Sequence, residues 1–295
     1  MSGRPQPGRG RSTLVLAGGV LGVTVVAAAC LGLAKLGRHD RSVDLLGQLL
    51  AQDGPATVPS TQLLGERAPA PPPQRRWVSP LRASCDGPEG DLVARLQQRL
   101  QRLQSSQAAI SIHPTNYGER YRRDAFGNRL NTTPQLVVLH ETVYGIGSAI
   151  NTFVTPHPND DDQVSYHALI GLDGSVVLAV DPSKRAFGAG NSAFDGQWVV
   201  TNPSFKGSVN NFALHVSLET PLDGEDAEAG HSGYTAAQYD ALAALLSDWM
   251  QRFGIPFERI TTHAHVDLGG ERSDPRSFDW QALQLRLAAL GRLCR

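Results

Sequence analysis

The chain has 295 residues, 41% of them hydrophobic and 19% charged, with a formal net charge of -1. That is enough for one good-sized globular domain plus accessory sequence. The 27 Lys and Arg are balanced by 28 Asp and Glu, which excludes the broad basic surface of a nucleic-acid binder.

Arg4, Arg9 and Arg11 precede an uncharged run from Ser12 to Ala34, closed by Lys35 and Arg38. At about 1.5 Å per residue such a run spans about 30 Å, the thickness of a bilayer core. Residues 1–38 therefore read first as a single-pass membrane anchor. Ala27-Ala28-Ala29 also offers a cleavable signal-peptide site, and Ala29-Cys30 a lipidation site. All three routes export the C-terminal part, to the periplasm or wall side of a bacterial inner membrane, or into the medium after cleavage. Cys85 and Cys294 then lie in an oxidising compartment, where one disulfide joining the two ends of the folded region is expected; two free thiols are the alternative.

Residues 39–84 read as a linker. After an amphipathic piece from Asp44 to Gln52 comes Ala68-Pro69-Ala70-Pro71-Pro72-Pro73, a semi-rigid polyproline spacer by composition. Residues 85–107 form a helical lead-in: Leu92, Leu96, Leu100 and Leu103 recur at helical spacing within a helix from Asp91 to Gln104.

From Ala108 strands and helices alternate, defining a main domain over 108–295. Leu136 to Leu139 is a short apolar strand ending at His140. Val164 to Ile170 and Ser175 to Val180 are strands joined through the hairpin signal Leu172-Asp173-Gly174. Phe212 to Glu219 is another strand, with His215, Ser217 and Glu219 on its polar face. Thr235 to Gln238 is a capping box opening an amphipathic helix that stops at Gly254. A strand around Ile260 leads to His263, and Asp279 to Leu293 closes the chain as a helix. The pattern is a mixed α/β domain, a central β-sheet with helices packed on it, preceded by a transmembrane or signal helix.

Histidine and acidic residues gather at the strand ends. His140 ends the first strand, His263 and His265 follow the last, and Asp274 lies in the next loop. Two imidazoles and a carboxylate from separate segments are the donor set of a catalytic zinc site with one position left open. A strand-end histidine is as readily a hydrogen-bonded surface residue, and Asp274-Pro275 alone is a turn signal. Spacing leaves both alternatives standing. His140-Glu141 also begins like H-E-x-x-H, but Tyr144 occupies the fourth position after His140, so a thermolysin-type peptidase is excluded.

Six segments occur in the order and rough spacing of one family: Val138-Leu139-His140-Glu141-Thr142, Val164-Ser165-Tyr166-His167, Asp173-Gly174-Ser175, Val216-Ser217-Leu218-Glu219, Thr262-His263 and Arg272-Ser273-Asp274-Pro275. Over Ala108 to Trp280 the chain thereby resembles the N-acetylmuramoyl-L-alanine amidase type 2 family, which includes T7-type lysozyme and peptidoglycan recognition proteins. The resemblance implies Zn2+ held by His140, His263 and Asp274, with Glu219 as general base. Arg272 matches a family Lys that steadies the oxyanion, and Tyr166 a tyrosine used at the same site. It implies hydrolysis of the amide between N-acetylmuramic acid and L-alanine by a monomer acting on peptidoglycan or muropeptides. Two rivals are a non-catalytic peptidoglycan-binding module and a zinc peptidase acting on the stem peptide.

Three departures from the family pattern stand out. Gly188 replaces the His of an A-W-H-A-G segment, and Ser217 stands where a Gly precedes the strand-end Glu. The loop from His263 to Asp274 is one residue longer, which makes His265 a competing ligand.

Overall fold

The structure is a computed structural model; it describes residues 67–105, 108–226 and 228–294. The 1–38 segment, Cys30 and the 44–52 piece lie outside the described residues. Among the described residues no helix is long and apolar enough to cross a membrane.

In chain order the elements are α1 (Asp91–Ser105), β1 (Ala108–Ala109), β2 (Tyr117–Glu119), β3 (Leu136–Glu141), α2 (Ile146–Val154), β4 (Ala168–Ile170), β5 (Val176–Leu178), β6 (Lys184–Ala186), β7 (Ala213–Leu218), α3 (Ala236–Phe253), β8 (Ile260–Thr262), α4 (His263–Val266) and α5 (Trp280–Ala289). Six strands form one sheet in the order β1-β5-β4-β7-β3-β8, while β2 and β6 pair separately. β4, β7, β3 and β8 run parallel, and β5 turns back antiparallel to β4. Gly174 makes that reversal at φ 78°, a conformation that costs glycine little.

The central strands β3 and β7 are buried at every position, as strands covered on both faces must be. One face carries Val137, Leu139, Leu214 and Val216 against Leu242, Leu246, Trp249, Leu283 and Leu287 of α3 and α5. The opposite face carries Leu136, Val138 and Ala213 with Phe194, Val209 and Val266. Beside this, Leu169 packs on Phe153 of α2.

The capping box at Thr235 and Gln238 forms in both directions, and Gly254 ends α3 in the left-handed region. α5 is shorter than its leucine spacing predicts. Gly291 turns left-handed at φ 67°, and Arg292 N–H bonds back to Leu287 O, a Schellman-type stop before the leucine pattern runs out. The Val164 strand is likewise shorter: Ser165 N–H donates to Phe187 O, and regular pairing starts only at Ala168.

The spacer expectation is corrected for 69–84, which lie on the domain. Pro69 O accepts Trp198 Nε1–H, and Trp77 Nε1–H donates to Glu258 O. Trp77 packs against His265 and Trp280, and Leu81 is buried in the main core. The cause is composition: two large apolar side chains and a polyproline backbone of free carbonyls give the segment surface to bury and acceptors to offer. Cys85 and Cys294 form a disulfide, as expected, joining this segment to the chain's end.

Candidate metal centre and cleft

His140, the fifth residue of β3, sits on the face away from α3, at the carboxyl end of the parallel strands. β8 pairs with β3, with Leu139 opposite Thr262, so His263 emerges next to His140. Thr262 Oγ1 caps the short α4, and Ala264 N–H donates to Asp274 O, drawing the 267–274 loop back over the histidines. The result is three side chains from three segments, with donor atoms of His140, His263 and Asp274 all within 4.8 Å of one another.

The donors face inward. His140 Nδ1 lies 3.3 Å from Asp274 Oδ2, and His263 Nδ1 lies 3.0 Å from Asp274 Oδ1. His140 Nδ1 is fully buried yet makes no hydrogen bond, an orphaned lone-pair position that needs a partner. Burial lowers the His140 pKa to about 4, helped by neighbouring His263 and opposed by Asp274. Burial would raise Asp274, but the two imidazoles outweigh it and hold the carboxyl well below its ordinary range. At neutral pH His140 is thus a neutral ring and Asp274 a carboxylate, the forms in which each can ligate a divalent metal. The residues fit a metal ion.

Other predicted residues divide. Tyr166 stacks on His140 with ring centroids 4.4 Å apart, and burial raises its phenol pKa. Arg272 and Tyr166 line the same cleft of about 940 Å³ as His263 and Asp274. Asp160, Asp162, Lys206, Glu228 and Glu271 stand along it too, so its walls carry both signs of charge.

Glu219, expected as general base, is not among the residues lining this cleft. Its two carboxylate oxygens accept Ile146 N–H and Leu172 N–H, each at 2.8 Å. Gly145 opens α2 without a side-chain cap, so Glu219 supplies that cap from across the sheet. β7 ends at Leu218, and Glu219 N–H still donates to Ile170 O of β4. His265 is no ligand either: its ring lies 4.7 Å from Trp77, outside the His140–His263–Asp274 cluster.

Sequence reasoning missed two groups. Glu141, next to His140, is buried in an ion pair with Arg276, with Nε to Oε1 at 2.5 Å, and also accepts Tyr234 O–H. His215, opposite Val138 in the β3–β7 register, reaches His140, Nδ1 to Nε2 at 2.9 Å. The period-two alternation that grouped His215 with Ser217 pointed to that shared face; the register that brings it to His140 is a tertiary fact.

Residues 130–277, half of the chain, match the family model described as N-acetylmuramoyl-L-alanine amidase. The 1,6-anhydro-N-acetylmuramyl-L-alanine amidase AmpD of Citrobacter freundii is 32% identical over 118 residues, 40% of this chain and 54% of that protein. AmpD of Escherichia coli K12 is 33% identical over 120 residues, covering 40% and 55%. The chain thus spans about half the length of these curated relatives. A crystal structure of a selenomethionine derivative of AmpD aligns with a TM-score of 0.46 at 24% identity, over 62% of this chain and 94% of that one. With the family model spanning half the chain, the protein belongs to the N-acetylmuramoyl-L-alanine amidase type 2 family.

Proposed function

We propose that the protein is a zinc-dependent amidase that hydrolyses the bond between N-acetylmuramic acid and L-alanine in peptidoglycan or its fragments. The observation that carries this is the convergence of His140, His263 and Asp274 in a polar cleft. Zinc held by these three residues supplies Lewis-acid polarisation of the substrate carbonyl and activation of water near neutral pH.

The chain's own groups do the rest. Tyr166 keeps its proton because burial raises its pKa, so its hydroxyl is a standing donor toward developing negative charge. Arg272, exposed at the cleft wall, adds positive charge to the same side. Glu141 is committed to Arg276, Tyr234 and His231; it holds the strand end and the 274–276 loop in register.

Export is supported by the uncharged Ser12–Ala34 run between basic flanks and by the Cys85–Cys294 bridge, since disulfides persist in oxidising compartments. We place the domain on the outer side of a bacterial inner membrane, as a monomer anchored by that run or released from it. The relatives' names specify a 1,6-anhydro-muramyl substrate, so both anhydro fragments and intact wall belong in the assay.

Mass spectrometry of muropeptides treated with the zinc-loaded protein tests this. Separation of muramyl glycan from a peptide beginning with L-alanine is the expected result. Cleavage within the stem peptide would make it a peptidase, and wall binding without any cleavage a recognition module; either outcome removes the amidase proposal.

A further inference from the structure

His140 presents Nδ1 to Asp274 and His263, so its proton must sit on Nε2 for Nδ1 to act as a ligand. Nε2 meets His215 Nδ1 at 2.9 Å, with both rings fully buried. Resting on the metal assignment above, we propose that His215 is a positioning residue for the metal centre: by accepting the Nε2–H of His140 it selects the tautomer and ring angle in which Nδ1 is free. A metal-ligating histidine usually donates its other N–H to a carboxylate, a carbonyl or water. Here the acceptor is a second imidazole.

The surroundings hold His215 to that task. With Nδ1 accepting, its own proton lies on Nε2, which is buried without a partner. A buried donor left unpaired is costly, so the arrangement is not one that packing alone would favour. The ring is wedged in place. It stacks parallel to His167 at 11° and 5.9 Å, and its backbone N–H is held by His167 Nδ1 at 2.9 Å. Above it runs the 188 loop, where any Cβ on Gly188 would overlap the ring, reaching within 2.9 Å of Cε1. Glycine at this position is what makes room for the imidazole arriving from β7.

The test is zinc affinity of the full-length chain, measured by chelator competition, for the unmodified protein, His140→Ala, His215→Leu, His215→Asn and Gly188→Ala. Thermal unfolding of the zinc-free forms runs alongside. Asn keeps an acceptor where Nδ1 stood; Leu keeps the volume and removes it. His215→Leu is expected to weaken zinc binding about 10- to 100-fold, the usual effect of losing such a partner, and His215→Asn to recover most of it at similar zinc-free stability. Gly188→Ala, which displaces the ring without deleting it, should weaken binding in the same direction. Long-range 15N spectra of the zinc-loaded protein should show His140 protonated at Nε2. If His215→Leu binds zinc as tightly as the unmodified chain while His140→Ala does not, His215 is packing only and the metal centre survives. If His215→Leu does not fold, unchanged affinity in Gly188→Ala overturns the proposal and weakened affinity there with retention in His215→Asn supports it. If the unmodified chain binds no zinc, both the positioning role and the metal centre fall.

Discussion

The three carboxylates near the end of β3 and β7 have three different tasks, decided by their partners. Asp274 faces the imidazoles of His140 and His263. Glu141 is locked to Arg276. Glu219 holds two backbone N–H groups. Replacing Glu219 by Ala should therefore cost about 1–2 kcal/mol of stability, the range for a lost helix cap, while zinc affinity stays within twofold. Denaturant unfolding beside chelator competition measures both; a large loss of zinc binding with intact stability would return Glu219 to the site. Arg276→Met leaves a buried carboxylate without its cation and should cost roughly 3–5 kcal/mol, measured the same way; a near-neutral result would mean that Glu141 is solvated. Sequence singled out His140 and His263 at strand ends and Asp274 in the loop that follows, because strand periodicity and a turn dipeptide are local signals, and these three are the residues whose donor atoms converge. It did not show the backbone partners of Glu219, because groups 73 and 47 residues away are invisible in a local pattern.

At the scale of elements, β3, β7 and the turn before β4 bring three histidines onto one buried line, His140, His215 and His167. Burial, and then the nearby Arg120 guanidinium, lowers the His167 pKa to about 3. Its ordinary value is about 6.5, so between those limits the unfolded chain takes up the proton and the folded chain does not. The sign follows: His167 leaves stability whole above pH about 6.5 and drains it as pH falls toward 3, at up to about 1.4 kcal/mol per pH unit. Denaturant unfolding of the zinc-free protein at pH 7, 6 and 5 should show this fall, and His167→Gln should reduce it, the remaining slope coming from the buried His140 and His215. An equal slope in both would place the dependence elsewhere. The same elements mark where periodicity misleads. Leucines at helical spacing continue past Ala289, but Gly291 in the left-handed region ends α5 first. The strand before β4 shortens because Ser165 pairs with Phe187 instead.

At the scale of the whole molecule, the segment from Pro69 to Cys85 is part of the domain. Trp77 and Leu81 bury against it, and the Cys85–Cys294 bridge closes a loop with a sequence separation of 209 residues. Composition marked this stretch as a spacer because proline and arginine dominate it; the two apolar anchors were too few to register as a pattern. The bridge itself was legible, since only two cysteines, Cys85 and Cys294, follow the N-terminal apolar run. Replacing both Cys85 and Cys294 by Ser should lower unfolding free energy by about 2–5 kcal/mol and leave zinc affinity unchanged, because the bridge lies outside the cleft. Calorimetry and chelator competition test the pair of statements; an unaltered unfolding temperature would mean that the bridge contributes nothing.

Metal dependence of cleavage at the muramyl–L-alanine bond is decisive for the metal centre. The full-length protein is stripped with chelator, then reloaded with one equivalent of zinc, beside Asp274→Ala treated identically. Peptides beginning with L-alanine should vanish on stripping and return on reloading, and Asp274→Ala should release them at less than about a thousandth of the rate, a loss of roughly 4 kcal/mol in transition-state stabilisation. Undiminished cleavage by the stripped protein, or by Asp274→Ala, would contradict a metal centre built on His140, His263 and Asp274.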